Sequence, residues 1–416
     1  MTKAPIAHDA DRVVAGNLGG TPSLLAVAGL FAMNGALVGA IGATLPAMRL
    51  RLGVDAGGLA ILLTVVAAAA ILSMQIGGRL ADSRGARNVV LPSAALLIAG
   101  VAALAFAPNL PLAAAAAVLV GLGNGAMDVS MNALGVRVEQ ARVKPVMSRL
   151  HASFSIGNML AAAAVFLIAR LAGDDGGVVT PALVSISGLC LVGGLAIMRR
   201  VPLTQPVNRV RSRVSDGGGP GVGSRLPSFA LLLGAMAFSF GLAEGTAVDW
   251  SSVHVTDVAG VAPSTGALGL VAVSSLMVLI RLFGDRAVAA FGRANVVRFG
   301  GVVASAGYLV TLVGQSLLVL LVGWALVGLG VGMIAPQVYA VAGHAGGGRM
   351  LAIVVTFGYG AFLIGPAIIG ALIGQVGIRR AMVLPLVLSV ALVALSSVLS
   401  RTVPRSDKGA ERGRLL

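Results

Sequence analysis

Twelve apolar runs, each long enough to cross a bilayer, constrain this chain more than any other feature. They fall near 23–47, 58–76, 88–107, 110–134, 151–171 and 179–198. After a polar stretch at 199–227 they resume near 228–250, 265–283, 296–314, 316–341, 349–374 and 380–400. A helix rises about 1.5 Å per residue, so about 20 apolar residues cross the hydrocarbon layer. Within that layer backbone groups find no water, which leaves helices and closed barrels as spanning structures. Runs of this length predict helices. The predicted fold is all-α and integral to the membrane: twelve transmembrane helices, split six and six.

Composition agrees, because 57% of the 416 residues are hydrophobic and only 11% are charged. Soluble domains average about 25% charged residues, so a chain of two or three such domains is excluded. The expected organisation is an N-terminal tail at 1–20, a six-helix bundle at 21–198, a basic connector at 199–227, a second bundle at 228–400 and a C-terminal tail at 401–416. Residues 1–20 include Lys3, Asp9, Asp11 and Arg12 and have no apolar core, so no cleavable leader is expected there.

The net charge of +15 invites a nucleic-acid reading, which its placement opposes. The thirty Lys and Arg residues lie in the tails and between or near the ends of apolar runs, 25 on one side of a twelve-span topology and five on the other. Positive charge is retained on the cytoplasmic side, so both termini are expected inside a bacterial inner membrane. The partners this implies are membrane lipids and a small-molecule substrate, with no nucleic acid and a monomeric state. The pair Arg379 and Arg380 is an exception on the outer side, read as snorkelling toward headgroups. The single Cys190 lies in an apolar run, where a packing role is expected.

The first inner connection reads Gly77-Gly78-Arg79-Leu80-Ala81-Asp82-Ser83-Arg84-Gly85-Ala86-Arg87. The corresponding place in the second half reads Arg281-Leu282-Phe283-Gly284-Asp285-Arg286, then Phe291-Gly292-Arg293. Small residues allow a tight helix-to-loop approach, and an aspartate beside arginines can pair with them or cap a helix. With Gly78, Asp82, Arg84, Gly85 and Arg87 in place, the 77–91 stretch resembles the signature loop of the major facilitator superfamily. The resemblance extends from about 21 to 400. It implies two pseudo-symmetric six-helix bundles that rock about a midplane site. These loop residues, with Asp285, Arg286 and Arg293, are then expected to act in conformational gating.

A narrower resemblance is to the bacterial branch containing the fucose:proton symporter. It rests on Gly121-Leu122-Gly123-Asn124-Gly125-Ala126-Met127-Asp128 with Asn132 in the fourth helix, and on Gly241-Leu242-Ala243-Glu244 in the seventh. Those symporters carry an acid in the first helix, where this sequence has Asn34 and no acid throughout 23–47. The pairs Gly35/Gly39, Gly121/Gly125 and Gly328/Gly332 allow close helix contact.

Three acids lie well inside apolar runs: Asp128, Glu244 and Asp249. A charge at midbilayer costs about 2.5–3.5 kcal/mol on insertion scales, so such acids should face protein or a water-filled cavity. Asp128 and Glu244 are the proton-coupling candidates, each with a static interhelical contact as its alternative. Asn124, Asp128 and Asn132 recur every four residues, which places them along one helix face. Substrate contacts are expected among Asn34, Asn124, Asn132, Asn158, Asp249, Trp250, Gln337, Tyr339 and Tyr359, with interhelical bonding as the other reading. Trp250 could equally anchor at the lipid interface.

No metal-ligand spacing, phosphate-binding loop or activated nucleophile emerges, so neither an enzyme nor a nucleotide-driven pump is expected. No cofactor is expected beyond protons as coupling ions. The leading reading is a proton-coupled secondary transporter of a small polar solute, a sugar or sugar-like compound. Proton-antiport efflux of an amphipathic compound, and a non-transporting receptor or scaffold, are the alternatives.

Overall fold

The computed structural model describes residues 20–142, 144–172, 177–204 and 228–400. The two tails and most of the connector, with its glycine cluster and Arg225, lie outside the described residues. Among the described residues every regular element is helical.

Among the described residues, twelve helices are long and apolar enough to cross a membrane. The first six are α1 Thr21–Leu52, α2 Ala56–Arg84, α3 Arg87–Ala105, α4 Leu110–Gln140, α5 Met147–Leu171 and α6 Val179–Arg200. The second six are α7 Ser228–Ala259, α8 Pro263–Phe291, α9 Arg293–Val313, α10 Leu317–Gly343, α11 Met350–Val376 and α12 Ile378–Leu399. Several overrun their apolar runs because polar residues continue the helix at its ends. Thus α1 continues through Arg49 and Arg51 to Gly53, whose φ of 62° closes the helix. Basic residues there meet the negative end of the helix dipole. The Asp55 side chain accepts from the Gly58 amide at 2.9 Å to start α2, and Asn109 accepts from Leu112 at 3.1 Å to start α4.

Packing repeats six helices later. In the first half α1 packs on α5 and α6, α4 on α2 and α3, and α3 on α6. In the second, α7 packs on α11 and α12, α10 on α8 and α9, and α9 on α12. Glycine makes the closest crossings possible: a Cβ on Gly121 or Gly125 would strike the carbonyls of Val66 or Ala70 on α2, and one on Gly328 would strike that of Val273 on α8. With little hydrophobic force between helices in lipid, such backbone approach supplies the packing.

Helical geometry continues from Ile334 to Val376, yet α10 and α11 double back on one another. Tyr339 and Gly358 would stand about 28 Å apart on a straight rod. Instead, a Cβ on Gly358 would meet the Tyr339 hydroxyl.

Two arginines close equivalent helix ends. Arg51 donates to the Ala105 carbonyl at the end of α3 at 2.7 Å and to Thr180 Oγ1 at 2.9 Å. Arg379 donates to Leu312 and Val313 at the end of α9, at 2.7 and 2.9 Å. Arg379 therefore satisfies orphan carbonyls, a more specific task than the snorkelling expected of it. Cys190 is buried and free, with Sγ 3.9 Å from the Met33 carbonyl.

The halves meet along α2–α11, α5–α8 and α1–α7. The face bearing the α2–α3 loop is called the basic face below.

Candidate functional site

The three-residue polar face of α4 forms as its spacing predicts. Asn132 Nδ2 donates to the Asp128 carbonyl at 2.9 Å and to its carboxylate at 3.2 Å. One turn the other way, Asn124 Oδ1 accepts from Asn34 Nδ2 at 2.9 Å, tying α4 to α1. The Tyr359 hydroxyl reaches across from α11 to Asp128 Oδ2 at 3.3 Å, a long bond for this pair of atoms. Asn34, Asn124, Asp128, Asn132 and Tyr359 thus form one polar string that crosses between the bundles. Asn124, Asp128, Asn132 and Tyr359 are half-buried; Asn34 is buried.

Glu244 lies in a second polar knot. Its carboxylate accepts from Arg281 Nη2 at 2.9 Å, with the two side chains 12% and 10% exposed. Arg281 also donates from Nε to the Gly332 carbonyl at 3.2 Å, and from Nη1 to Ser155 Oγ at 2.6 Å. The His151 carbonyl lies at 3.4 Å from the same Nη1. One guanidinium from α8 therefore holds α7 and α10 of its own half and α5 of the other. Arg281 is the one arginine or lysine buried among the described residues. The Tyr339 hydroxyl of α10 lies against Gly358 of α11, next to Tyr359.

The remaining expected contacts disperse. Asn158 on α5 is buried and accepts from Ser274 of α8 at 3.3 Å, an inter-bundle bond. Gln337 is buried in α10. Asp249 and Trp250 sit further along α7, beside α11, lining a void of about 10 Å³ with Thr246, Phe362 and Pro366. That volume is near the least that holds one water. Trp250 is 1% exposed, inside its bundle and away from any lipid boundary.

The two inner loops divide their work. In the first, Asp82 and Arg84 are exposed, while Gly85 turns with φ 87° against the Thr204 carbonyl. The Ala86 amide donates to Thr204 Oγ1 at 2.8 Å, and Arg87 donates to the Met198 carbonyl at 3.1 Å. This loop therefore grips the start of the connector, inside its own half. Gly78 lies over Val129 of α4. In the second loop Asp285 accepts from Ser148 of α5 at 2.7 Å, across the halves. Arg286 lies over the Phe283 ring at 5.8 Å, and Arg293 begins α9.

Sequence reasoning missed Arg281 and Ser155 as site residues, along with Arg49 and Asp257. Arg281 carried a usable signal. It stands four residues before Asp285, the place that Gly78 holds before Asp82, yet it lies in apolar sequence where a loop charge has no business. Among the described residues no three His, Cys, Asp or Glu side chains gather to hold a metal.

Residues 27–344 match the model of the Major Facilitator Superfamily. The chain belongs to the major facilitator superfamily. Similar curated proteins include the uncharacterized transporter y4wD of Sinorhizobium fredii, 35% identical over 351 residues, or 83% of this chain and 90% of that protein. The membrane protein MosC of Rhizobium meliloti is 30% identical over 385 residues, 92% of this chain and 91% of that one. Among solved structures, a mutant of the nucleoside transporter NupG superposes with a TM-score of 0.68 at 12% identity, covering 91% of this chain and 98% of its own. The human organic anion transporter MFSD10 gives 0.63 at 17% identity, covering 91% and 100%. At these identities the superpositions establish the superfamily fold alone. As a member of the superfamily, this chain is a multi-pass membrane protein and a secondary transporter, and is not an enzyme.

Proposed function

We propose that this chain moves a small polar solute by proton-coupled alternating access, with Asp128 and Glu244 as the groups that take and release protons. The observation that carries this reading is the bond between Tyr359 and Asp128, which joins the halves through a carboxylate. Taking a proton changes what a carboxylate can accept and donate, so protonation alters a contact that rocking must break. The half-buried amides of Asn124 and Asn132 offer donors and acceptors to a hydroxylated solute. A sugar-like solute is the class suggested by the resemblance of α4 and α7 to the fucose:proton symporter branch. Import follows directly if solute and proton travel together, since a potential of about 100 mV supplies about 2.3 kcal/mol per charge.

In this reading residues 21–198 and 228–400 are the two moving bodies. The charge asymmetry of the connections supports a basic face toward the cytoplasm of a bacterial inner membrane, with a monomer sufficient for transport. Inter-bundle contacts along both α5–α8 and α1–α7 support gating at the two faces in turn. Asp285 takes part in the first of these.

The test is uptake in proteoliposomes under an imposed proton gradient. Asp128→Asn keeps a hydrogen-bonding shape and removes titration, so gradient-driven accumulation should vanish while solute exchange persists. Full accumulation by a folded Asp128→Asn protein would remove Asp128 from the coupling role.

A further inference from the structure

Arg281 raises a question that proton coupling alone leaves open. A buried guanidinium keeps its charge under all physiological conditions and is strongly unfavourable without a counter-anion. Among the described residues its hydrogen-bond partners come from three helices. From α5 come the Ser155 hydroxyl and the His151 carbonyl; from α10, the Gly332 carbonyl; from α7, the Glu244 carboxylate. His151 of α5 and Tyr308 of α9 flank the pair, and neither is an anion in its ordinary state. The Tyr308 hydroxyl is engaged at 2.5 Å with the carbonyl of Ala243, next to Glu244. Glu244 is thus the one carboxylate bonded to Arg281.

We propose that Arg281 is the binding site for an anionic group on the transported solute, a carboxylate that takes the place of Glu244 when Glu244 accepts a proton. This rests on the proton-coupled reading above and narrows its solute to an acidic one, such as a hydroxy acid or a sugar acid. The exchange balances: one proton neutralises Glu244 and one carboxylate replaces it, so the guanidinium always faces one negative charge. Neither step is favourable alone. A proton on Glu244 strands Arg281, and a solute carboxylate beside ionised Glu244 places two like charges together. Bound together they are mutually supportive, which is a coupling free energy between proton and solute. Arg281 also holds Ser155 of the opposite half, so a solute bound there would be felt across the α5–α8 seam.

The decisive experiment replaces the missing carboxylate from outside. Glu244→Ala leaves Arg281 beside a cavity the size of a carboxylate. Added acetate should raise its melting temperature well above the effect of acetamide or chloride at equal ionic strength. The response should disappear in the double variant Glu244→Ala with Arg281→Gln. Should Glu244→Ala fail to fold, Glu244→Ser, which also leaves the space of the carboxylate empty, takes its place in the same series. Acetate that does no more than acetamide overturns anion exchange at Arg281. In the unaltered protein, a panel of small hydroxy acids and sugar acids should stabilise at least about tenfold more tightly at pH 5 than at pH 8, the gain expected of a charge-assisted bond. Their neutral alcohols and amides should have little effect. Neutral members that stabilise as well as the acids, or acids that stabilise equally at both pH values or at neither, overturn the solute class. These are equilibrium measurements without a gradient, so they fail or succeed separately from the loss of accumulation expected for Asp128→Asn.

Discussion

Arg49 and Asp257, 208 residues apart, meet in a two-pronged ion pair at the face opposite the signature loop. Each stands within the last turn of its helix, Arg49 in α1 and Asp257 in α7, the corresponding helices of the two halves. A quasi-symmetric position thus holds opposite charges, and their attraction closes α1 on α7. The side chains are 20% and 27% exposed, so water and salt weaken the pair. A contribution of about 0.2–1 kcal/mol is appropriate for such a pair.

Removing this clasp should favour opening of its face by up to about fivefold, the factor that the upper end of such an energy produces. A cysteine placed at Val248, beside Gly42 on the α1–α7 seam, reports the change in a Cys190→Ser background. Alkylation should quicken in Arg49→Ala and return toward normal when Arg49→Asp is combined with Asp257→Arg. An unaltered rate in Arg49→Ala would show that the pair does not hold the face shut.

Tyr359→Phe removes the hydroxyl and leaves Asp128 free to titrate. Solute accumulation at steady state should be retained, while the transport rate changes by up to about tenfold, the scale of one modest hydrogen bond. Initial-rate and end-point uptake, measured together, separate the two. Loss of the end point would make Tyr359 part of the proton path.

Gly328→Ala sets a methyl group against the Val273 carbonyl at the α8–α10 crossing. A cost of about 1–3 kcal/mol is expected from forced separation of closely packed backbones. Gly193→Ala meets nothing within 4 Å and serves as the control. Thermal melts should fall by several degrees for the first and hold or rise for the second.

Arg379→Ala uncovers two carbonyls at the end of α9. It should lower stability by about 1 kcal/mol, whereas Arg380→Ala should have little effect. Equal melting temperatures for the two variants would show that water caps α9 as well as Arg379 does.

What could be read from the sequence follows from what is local. Apolar length marks every span, and four-residue spacing alone puts Asn124, Asp128 and Asn132 on one face. Asn34 joining Asn124 was beyond reach, because 90 residues separate them and an asparagine in lipid can bond to any neighbour. Arg281 stands near the end of an apolar run, where arginines ordinarily mark a loop, whereas α8 continues ten residues past it to Phe291. Arg49 and Asp257 looked like ordinary boundary charges. Their pairing depends on how two bundles face each other, which no window along the chain contains.

The capping arginines have a wider meaning. Arg51 arrives at the end of α3 from the close of the first helix, and Arg379 arrives at the end of α9 from the opening of the twelfth. Overlaying the halves residue upon residue would pair neither with the other. What the two halves inherit in common is therefore a vacancy for a cation, and each has filled it from a different direction.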